Sequence, residues 1–362
     1  MPSADLTGPG PPGQWIHAQL FGQSVPAGSQ LSLGEGSTPL EPAEELGRVL
    51  GIPSLWLKRE DHSPTGSHKA RCLGYLCSTL LAEGISQAVI SSSGNAATAA
   101  AAFASLGGIR LLSLVSPRTP RVKLQALLRY PQPVVLSRHP VGLLHHAVRS
   151  WGLADLRASV NPLAPTAYRG IAAELIQDGP PAAVFHFSSS GATALGLSQG
   201  FAQLLAPSQR PQLHVVESAP GGELTRSWYP GGQSESAPVS PVGELGTRRS
   251  RLAPRVRRAV GQSGGRGWRV TEAELAEVLD LARSHRVETS WEGVATLAAM
   301  RQAANRPELK RAGRWVALLT GAAAQLDLEP SGEEELALVR AETPAELDLV
   351  LVARGFKRPA AG

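Results

Sequence analysis

Apolar positions fall along this chain in short runs and in helical spacings, separated by clusters of Gly, Pro and Ser. After a turn at Gly51–Pro53, the run Leu55-Trp56-Leu57 ends in the charged cluster Lys58-Arg59-Glu60-Asp61, a pattern that predicts a strand. Ser63-Pro64-Thr65-Gly66-Ser67 is turn chemistry. From His68, Leu73, Leu76, Leu80 and Leu81 recur at helical spacing and predict a helix that stops near Gly84. Ala88-Val89-Ile90 reads as a short buried strand, Ser91 to Asn95 as a loop, Ala96 to Leu106 as an Ala-rich helix closed by Gly107-Gly108, and Leu111 to Val115 as another strand. The second half keeps the rhythm. Helices are expected at Tyr168–Ile176, Ala194–Leu205 and Trp291–Asn305, and strands at Ala183–Phe187, Leu213–Glu217 and Trp315–Leu319. Thr271 opens a further helix, with Glu274 placed for a capping box. Ser218 to Gly246 reads as irregular surface. Strand, loop, helix and strand in short succession predict parallel α/β architecture, and no fixed-period repeat interrupts it.

Composition narrows the picture. A chain of 362 residues with 42% hydrophobic and 18% charged residues can bury a sizeable core. No apolar run is long enough to cross a bilayer, and the Gly- and Pro-rich start lacks the pattern of a signal peptide. Cys72 and Cys77 are the two cysteines; they make no disulfide framework or metal-type spacing and suit a reducing cytoplasm. The net charge of +5 is thinly spread. Its one dense stretch, Arg248 to Arg258, has no interleaved aromatics, so it reads as a solvated face rather than a nucleic-acid surface. His145-His146 reads as a surface pair, and Gly261 to Gly267 as a turn, not a nucleotide loop. Among 35 Lys and Arg residues, five are lysines: Lys58, Lys69, Lys123, Lys310 and Lys357. Arg cannot form a Schiff base, so a lysine inside a Gly-bearing turn stands out here.

Four places carry candidate chemistry. Pro64 to Lys69 puts a lysine at the helix end of a turn, where an amine can be held rigidly and kept deprotonated enough to attack; most lysines after turns are simply solvated. Ser91 to Asn95 precedes a helix whose free N–H groups could take a carboxylate, or Ser and Asn could merely cap it. Ser188 to Thr193 joins a strand to a helix with small residues and hydroxyls that could hold a phosphate, or is a plain turn. Thr320 offers a hydroxyl at a strand's end, which alone means little.

In order and context these segments are more specific. Gly34 to Leu40, Leu57 to Asp61, Pro64 to Lys69 and Ser92 to Ala97 resemble the fold-type II pyridoxal 5′-phosphate (PLP) enzymes, the tryptophan synthase β family, with the threonine synthase branch nearest. The resemblance runs from about Leu33 to about Leu326 and is most specific from Leu33 to Ala104. It implies two open parallel-sheet α/β subdomains with the cofactor in the cleft between them. A large domain would span 33–69 and 162–330, with a small domain, 70–161, inserted; 1–32 and 331–362 would be tails. By the same resemblance, Lys69 forms the Schiff base and moves the substrate α-proton. Asn95 faces the ring hydroxyl, and Ser92, Ser93, Gly94 and Ala96 surround the substrate carboxylate. Ser189, Ser190, Gly191, Ala192 and Thr193 cradle the cofactor phosphate, and Thr320 faces the pyridine nitrogen. A neutral hydroxyl there weakens the electron sink, which suits elimination or replacement better than transamination.

The implied activity is a PLP-dependent lyase or β/γ-replacement enzyme acting on a small amino acid, threonine synthase-like. A serine/threonine dehydratase, a cysteine synthase-like enzyme and a catalytically inactive PLP-binding protein are the alternatives. A cytoplasmic homodimer is the expected form, with no nucleic-acid or membrane partner. The chain departs from the branch in three ways. His68-Lys69-Ala70-Arg71 replaces Phe-Lys-Asp-Arg, the phosphate loop keeps one glycine, Gly191, and Leu163-Ala164 follows Asn161-Pro162 where the branch carries an Arg. Lys123 and Arg169 remain as basic contacts for a substrate, and O-phosphohomoserine is placed in doubt.

Overall fold

The computed structural model describes residues 13–92, 94–218, 222–229, 250–306, 309, 312–323 and 338–359. Two sheets form the frame. The larger runs β1 (Leu40–Pro42), β2 (Leu55–Lys58), β10 (Trp315–Leu318), β7 (Ala183–Phe187), β8 (Gln212–Ser218) and β9 (Gly267–Val270). It is parallel except for β1 against β2. The smaller is parallel throughout, in the order β11 (Val339–Arg340), β5 (Val134–Leu136), β4 (Arg110–Val115), β3 (Gln87–Ser91) and β6 (Ala154–Asp155). This is the expected mixed α/β class with two parallel-strand sheets.

Alternation along the strands decides which helices cover which face. In β7, Val184 belongs to a central core, while Ala183, Phe185 and Phe187 face a separate outer core. That outer layer is α1 (Glu44–Leu50), α9 (Glu272–Ser284) and α10 (Trp291–Ala304). The central layer holds α2 (Lys69–Ala82), α3 (Asn95–Leu106), α4 (Arg121–Leu128), α6 (Arg169–Leu175), α7 (Ala192–Leu204) and α8 (Ala253–Gln262), and touches the inner residues of both sheets. A third layer, α5 (Pro140–Trp151) and α11 (Pro344–Ala353), closes the far face of the smaller sheet. The capping box at Thr271 is present, with Glu274 bonded back to it. Arg251, Arg255 and Arg258 lie exposed at and along α8; Arg248 and Arg249 lie outside the described residues.

Both expected tails depart from the sequence reading. At the N-terminal side, Gln14 and Trp15 are buried in a 3-10 segment, Gly13–Leu20. The Gln14 amide donates to Glu35 and to the Arg71 carbonyl, and the Trp15 indole to the Leu31 carbonyl. At the C-terminal side, β11 extends the smaller sheet, and Leu347 and Leu351, one helical turn apart, are fully buried against it. His146 is no free surface residue either: its Nε2 lies 2.7 Å from Asp348 of α11. Gly267, read as the end of a turn, starts β9.

Candidate active site

Parallel sheets present their loops at the carboxyl ends of the strands, and ligands bind there. Three neighbours, β2, β10 and β7, send out the three segments singled out in the larger sheet: 59–69, Thr320-Gly321 and 188–193. Pairing of β2 with β10 continues past the strand ends and fixes the lysine turn. Asp61 N–H bonds the Leu319 carbonyl, His68 N–H bonds Thr320, Ala322 N–H bonds Gly66, and Ser67 bridges Gly321. Lys69 follows as the first residue of α2. From the smaller sheet, β3 delivers Ser92, Gly94 and the start of α3.

The lysine is partly buried, and its Nζ lies 3.1 Å from His68 Nε2 and 5.9 Å from the centre of the Tyr168 ring. Burial lowers its pKa from the ordinary lysine value, with Cys72 and Glu292 pulling the other way. His68 is buried; its Nδ1 lies 3.0 Å from the Thr320 carbonyl and its ring packs on Tyr168. Burial and the neighbouring Lys69 charge push its pKa well below the usual histidine range. Cys72, one turn on, is pushed up to about 11 by burial and stays a thiol.

The other expected residues divide as follows. Asn95 Nδ2 sits 3.3 Å from where a Cβ on Gly321 would lie, so α3 and the Thr320 segment meet. Lys123 Nζ is 3.8 Å from the equivalent point on Gly94. Ala96 packs against the central core; Ser93 lies outside the described residues. In the 188–193 turn, Ser188 Oγ accepts the Gly191 N–H at 3.1 Å and Ser190 Oγ the Ala192 N–H at 3.3 Å. Ser189 is partly exposed, while Ala192 and Thr193 are buried. Gly191 has φ +85°, a conformation that favours glycine. Thr320 is buried, its carbonyl committed to His68. Arg169 does not reach this site: its guanidinium bonds Gln199 and the Leu20 carbonyl and secures the N-terminal segment. In this arrangement its guanidinium is engaged with Gln199 and the N-terminal segment.

Sequence reasoning missed several members. Tyr168 and His186 sit in segments read simply as a helix and a strand, and nothing in their local pattern marks them. A buried ion network also lies under α2. Glu174 accepts from Lys58 at 2.5 Å and from Arg71 at 2.7 Å, and Glu60 accepts from Arg71 at 2.7 Å and from Thr38 at 2.6 Å. The run Lys58 to Glu60 was visible; its partner Glu174 was not.

The residues present fit a small, highly polar group bound at Lys69. Ser63 Oγ, Thr65 Oγ1, Ser67 Oγ, His186 Nε2 and Ser290 Oγ are buried without hydrogen-bond partners among the described residues. Native proteins rarely leave such atoms unpaired, and these flank the lysine turn and the Thr320 segment. The match to known proteins decides what that group is. Residues 31–321 match the family described as Pyridoxal-phosphate dependent enzyme.

The chain belongs to the PLP-dependent enzymes. PLP is therefore its cofactor, and the fold-type II resemblance holds. Among similar proteins, threonine synthase of Methanosarcina acetivorans is 24% identical over 86% of this chain and 79% of that one. The L-serine dehydratase/L-threonine deaminase of Bos taurus is 37% identical, over 25% of this chain. The matches of higher identity span only about a quarter of the curated relatives' own length. In fold, the chain is similar to the structure of maize serine racemase, with a TM-score of 0.69 at 18% identity, covering 79% of this chain and 88% of that one.

Proposed function

We propose that this PLP enzyme is a lyase or β/γ-replacement enzyme acting on a small amino acid, threonine synthase-like in its reaction class. The observation that carries the reading is the state of Lys69: an amine whose pKa burial lowers, hydrogen-bonded to His68, at the end of a turn whose Ser63, Thr65 and Ser67 hydroxyls are buried and unpaired. Bound PLP supplies an electron sink for charge developing at the substrate α-carbon. The side chains do the rest. Lys69 holds the cofactor covalently and then serves as the base for the α-proton. The start of α3, with Ser92, Ser93, Gly94 and Ala96, holds the substrate carboxylate, and Lys123 stands over Gly94 as a further cation. Ser189, Ser190, Gly191, Ala192 and Thr193 take the cofactor phosphate; the Ser188 and Ser190 hydroxyls now satisfying that turn's own N–H groups would share them with it. Asn95 faces the ring hydroxyl and Thr320 the ring nitrogen.

A second reading, a serine/threonine dehydratase or cysteine synthase-like enzyme, draws support from two positions. Ala164 is fully buried and Arg169 is bound elsewhere, so neither offers a cation to a phosphorylated substrate. The test has two parts. Borohydride reduction of the cofactor-loaded protein should label Lys69; a label on another lysine overturns both readings. Steady-state assays then compare serine, O-acetylserine and O-phosphohomoserine. Turnover of O-phosphohomoserine supports threonine synthase chemistry, turnover of serine or O-acetylserine alone supports the second reading, and turnover of none with the cofactor bound refutes both.

A further inference from the structure

His68 stands next to the reactive lysine but has no part in the roles assigned above. Its Nδ1 lies 3.0 Å from the Thr320 carbonyl oxygen. A carbonyl only accepts, so Nδ1 carries the hydrogen, and a neutral ring in that tautomer leaves Nε2 as a bare acceptor. Nε2 lies 3.1 Å from Lys69 Nζ, a donor. The ring is 6% exposed and packed on Tyr168 at 5.4 Å between centres, which holds it in place. Its backbone N–H bonds the same Thr320 carbonyl at 3.2 Å. Burial and the Lys69 charge keep the imidazole neutral. The charged and titratable groups felt by this pair are Arg71 and Cys72 on α2, His186 on β7 and Glu292 on α10.

We propose that His68 is a positioning residue, whose Nε2 holds the Lys69 amine in one orientation whenever that amine is not covalently engaged, so that it meets the cofactor aldehyde already aimed. The inference rests on the assignment of Lys69 as the attachment point. Attachment joins Nζ to the aldehyde carbon, and the aldehyde oxygen leaves as water with the two amine hydrogens. Holding the amine with its N–H toward His68 leaves the lone pair free for that bond and removes the search over lysine rotamers.

The experiment compares wild type, His68→Leu and His68→Gln as full-length proteins stripped of cofactor. Pyridoxal 5′-phosphate is added and the rate of attachment followed by absorbance. Pyridoxamine 5′-phosphate, which has no aldehyde, reports pocket binding alone. His68→Leu should attach about two- to tenfold more slowly, the worth of one hydrogen bond, with pyridoxamine 5′-phosphate affinity retained. His68→Gln, whose amide oxygen can accept, should recover part of the rate. Equal rates in wild type and His68→Leu overturn the proposal. Nitrogen-15 NMR of the wild-type histidines gives a second measurement, with His68 identified by its loss in His68→Gln. A neutral Nδ1–H tautomer whose Nε2 signal moves on cofactor attachment supports the proposal, even if His68→Leu proves misfolded; an Nε2–H tautomer overturns it. If wild type attaches cofactor at some other lysine, the functional reading fails instead, a result the borohydride label separates from this one.

Discussion

Replacing Glu174 by Gln tests whether the ion network under α2 holds the lysine turn in place. Glu174 is nearly fully buried and accepts four hydrogen bonds: from Lys58 Nζ, from Arg71 Nη1 and Nη2, and from the Ser37 N–H. Together with Glu60 it balances the charges of Lys58 and Arg71. Gln keeps the shape but leaves one buried positive charge uncompensated and replaces one acceptor atom with a donor. Burial alone would raise the Glu174 pKa, yet Arg71 and Lys58 outweigh it and bring the value from 4.5 down to about 2. That difference corresponds to about 3 kcal/mol, in line with the roughly 3–5 kcal/mol lost when one partner of a buried ion pair is removed. The urea midpoint at neutral pH should fall accordingly with the slope unchanged. The sign of the pH dependence follows from the lowered pKa. The stabilisation is present above about 4.5 and is lost as pH falls toward about 2, so wild type and variant should converge across that window. Because Arg71 lies two residues beyond Lys69 in the first turn of α2, cofactor attachment should weaken in parallel. As a control, Glu277→Gln breaks an exposed pair with Arg301, and such pairs contribute little; it should leave the midpoint where it was. A Glu174→Gln midpoint within about 1 kcal/mol of wild type would refute the reasoning.

Three further outcomes are expected. Gly191→Ala places a Cβ 2.6 Å from Val256 Cγ2 at a φ of +85°; cofactor titration should show affinity reduced by about tenfold or more, and thermal melts a loss of about 1–3 kcal/mol. His214 Nδ1 accepts from the Trp268 indole at 3.1 Å and from the Arg266 N–H at 3.2 Å, and burial lowers its pKa to about 3. Wild-type stability should therefore hold above pH 6.5 and decline as pH falls below it, and the decline should be shallower in His214→Gln, measured by melts across that range. Arg169→Met should leave KM for the amino acid unchanged while increasing proteolysis near Leu20, because the guanidinium bonds the Leu20 carbonyl and not the site.

Local pattern was enough for the elements whose residues signal to near neighbours. The strand at Ala88–Ile90, the helix after His68 and the capping box at Thr271 all appear where the spacing puts them. The loops at strand ends were legible for the same reason: small residues and hydroxyls there follow an apolar run within a few positions. What was not legible depends on distance along the chain. Glu174 meets Arg71 from 103 residues away, and nothing near either residue announces the other. Leu347 and Leu351 of α11 pack with Val89, Leu112 and Val135 of the smaller sheet, about 200 residues or more away in sequence for each. His186 lies in an apolar run, and its orphaned Nε2 acquires meaning only when the fold brings the Lys69 charge within its reach. Arg169 bonds Gln199 and the Leu20 carbonyl, partners 30 and 149 residues away that no local pattern announces.

The reading of Lys69 as an ordinary solvated lysine after a turn meets a specific obstacle in the structure. A solvated lysine needs no fixed acceptor and no anchored turn. Here the turn is pinned by backbone bonds from Gly66 and His68 to the strand-end segment of β10, and the amine is directed at an imidazole that is itself tied to that segment. The same segment, through Gly321, touches Asn95 at the head of α3 and Ser290 before α10. One short stretch, Thr320-Gly321, thus couples the lysine, the smaller sheet's loop and the unpaired Ser290 hydroxyl. A packing role alone would fill this junction with apolar side chains, since an unpaired buried hydroxyl costs about 1–3 kcal/mol. Unpaired hydroxyls retained along the lysine turn and beside Gly321 are the arrangement expected where a polar cofactor supplies the remaining hydrogen bonds.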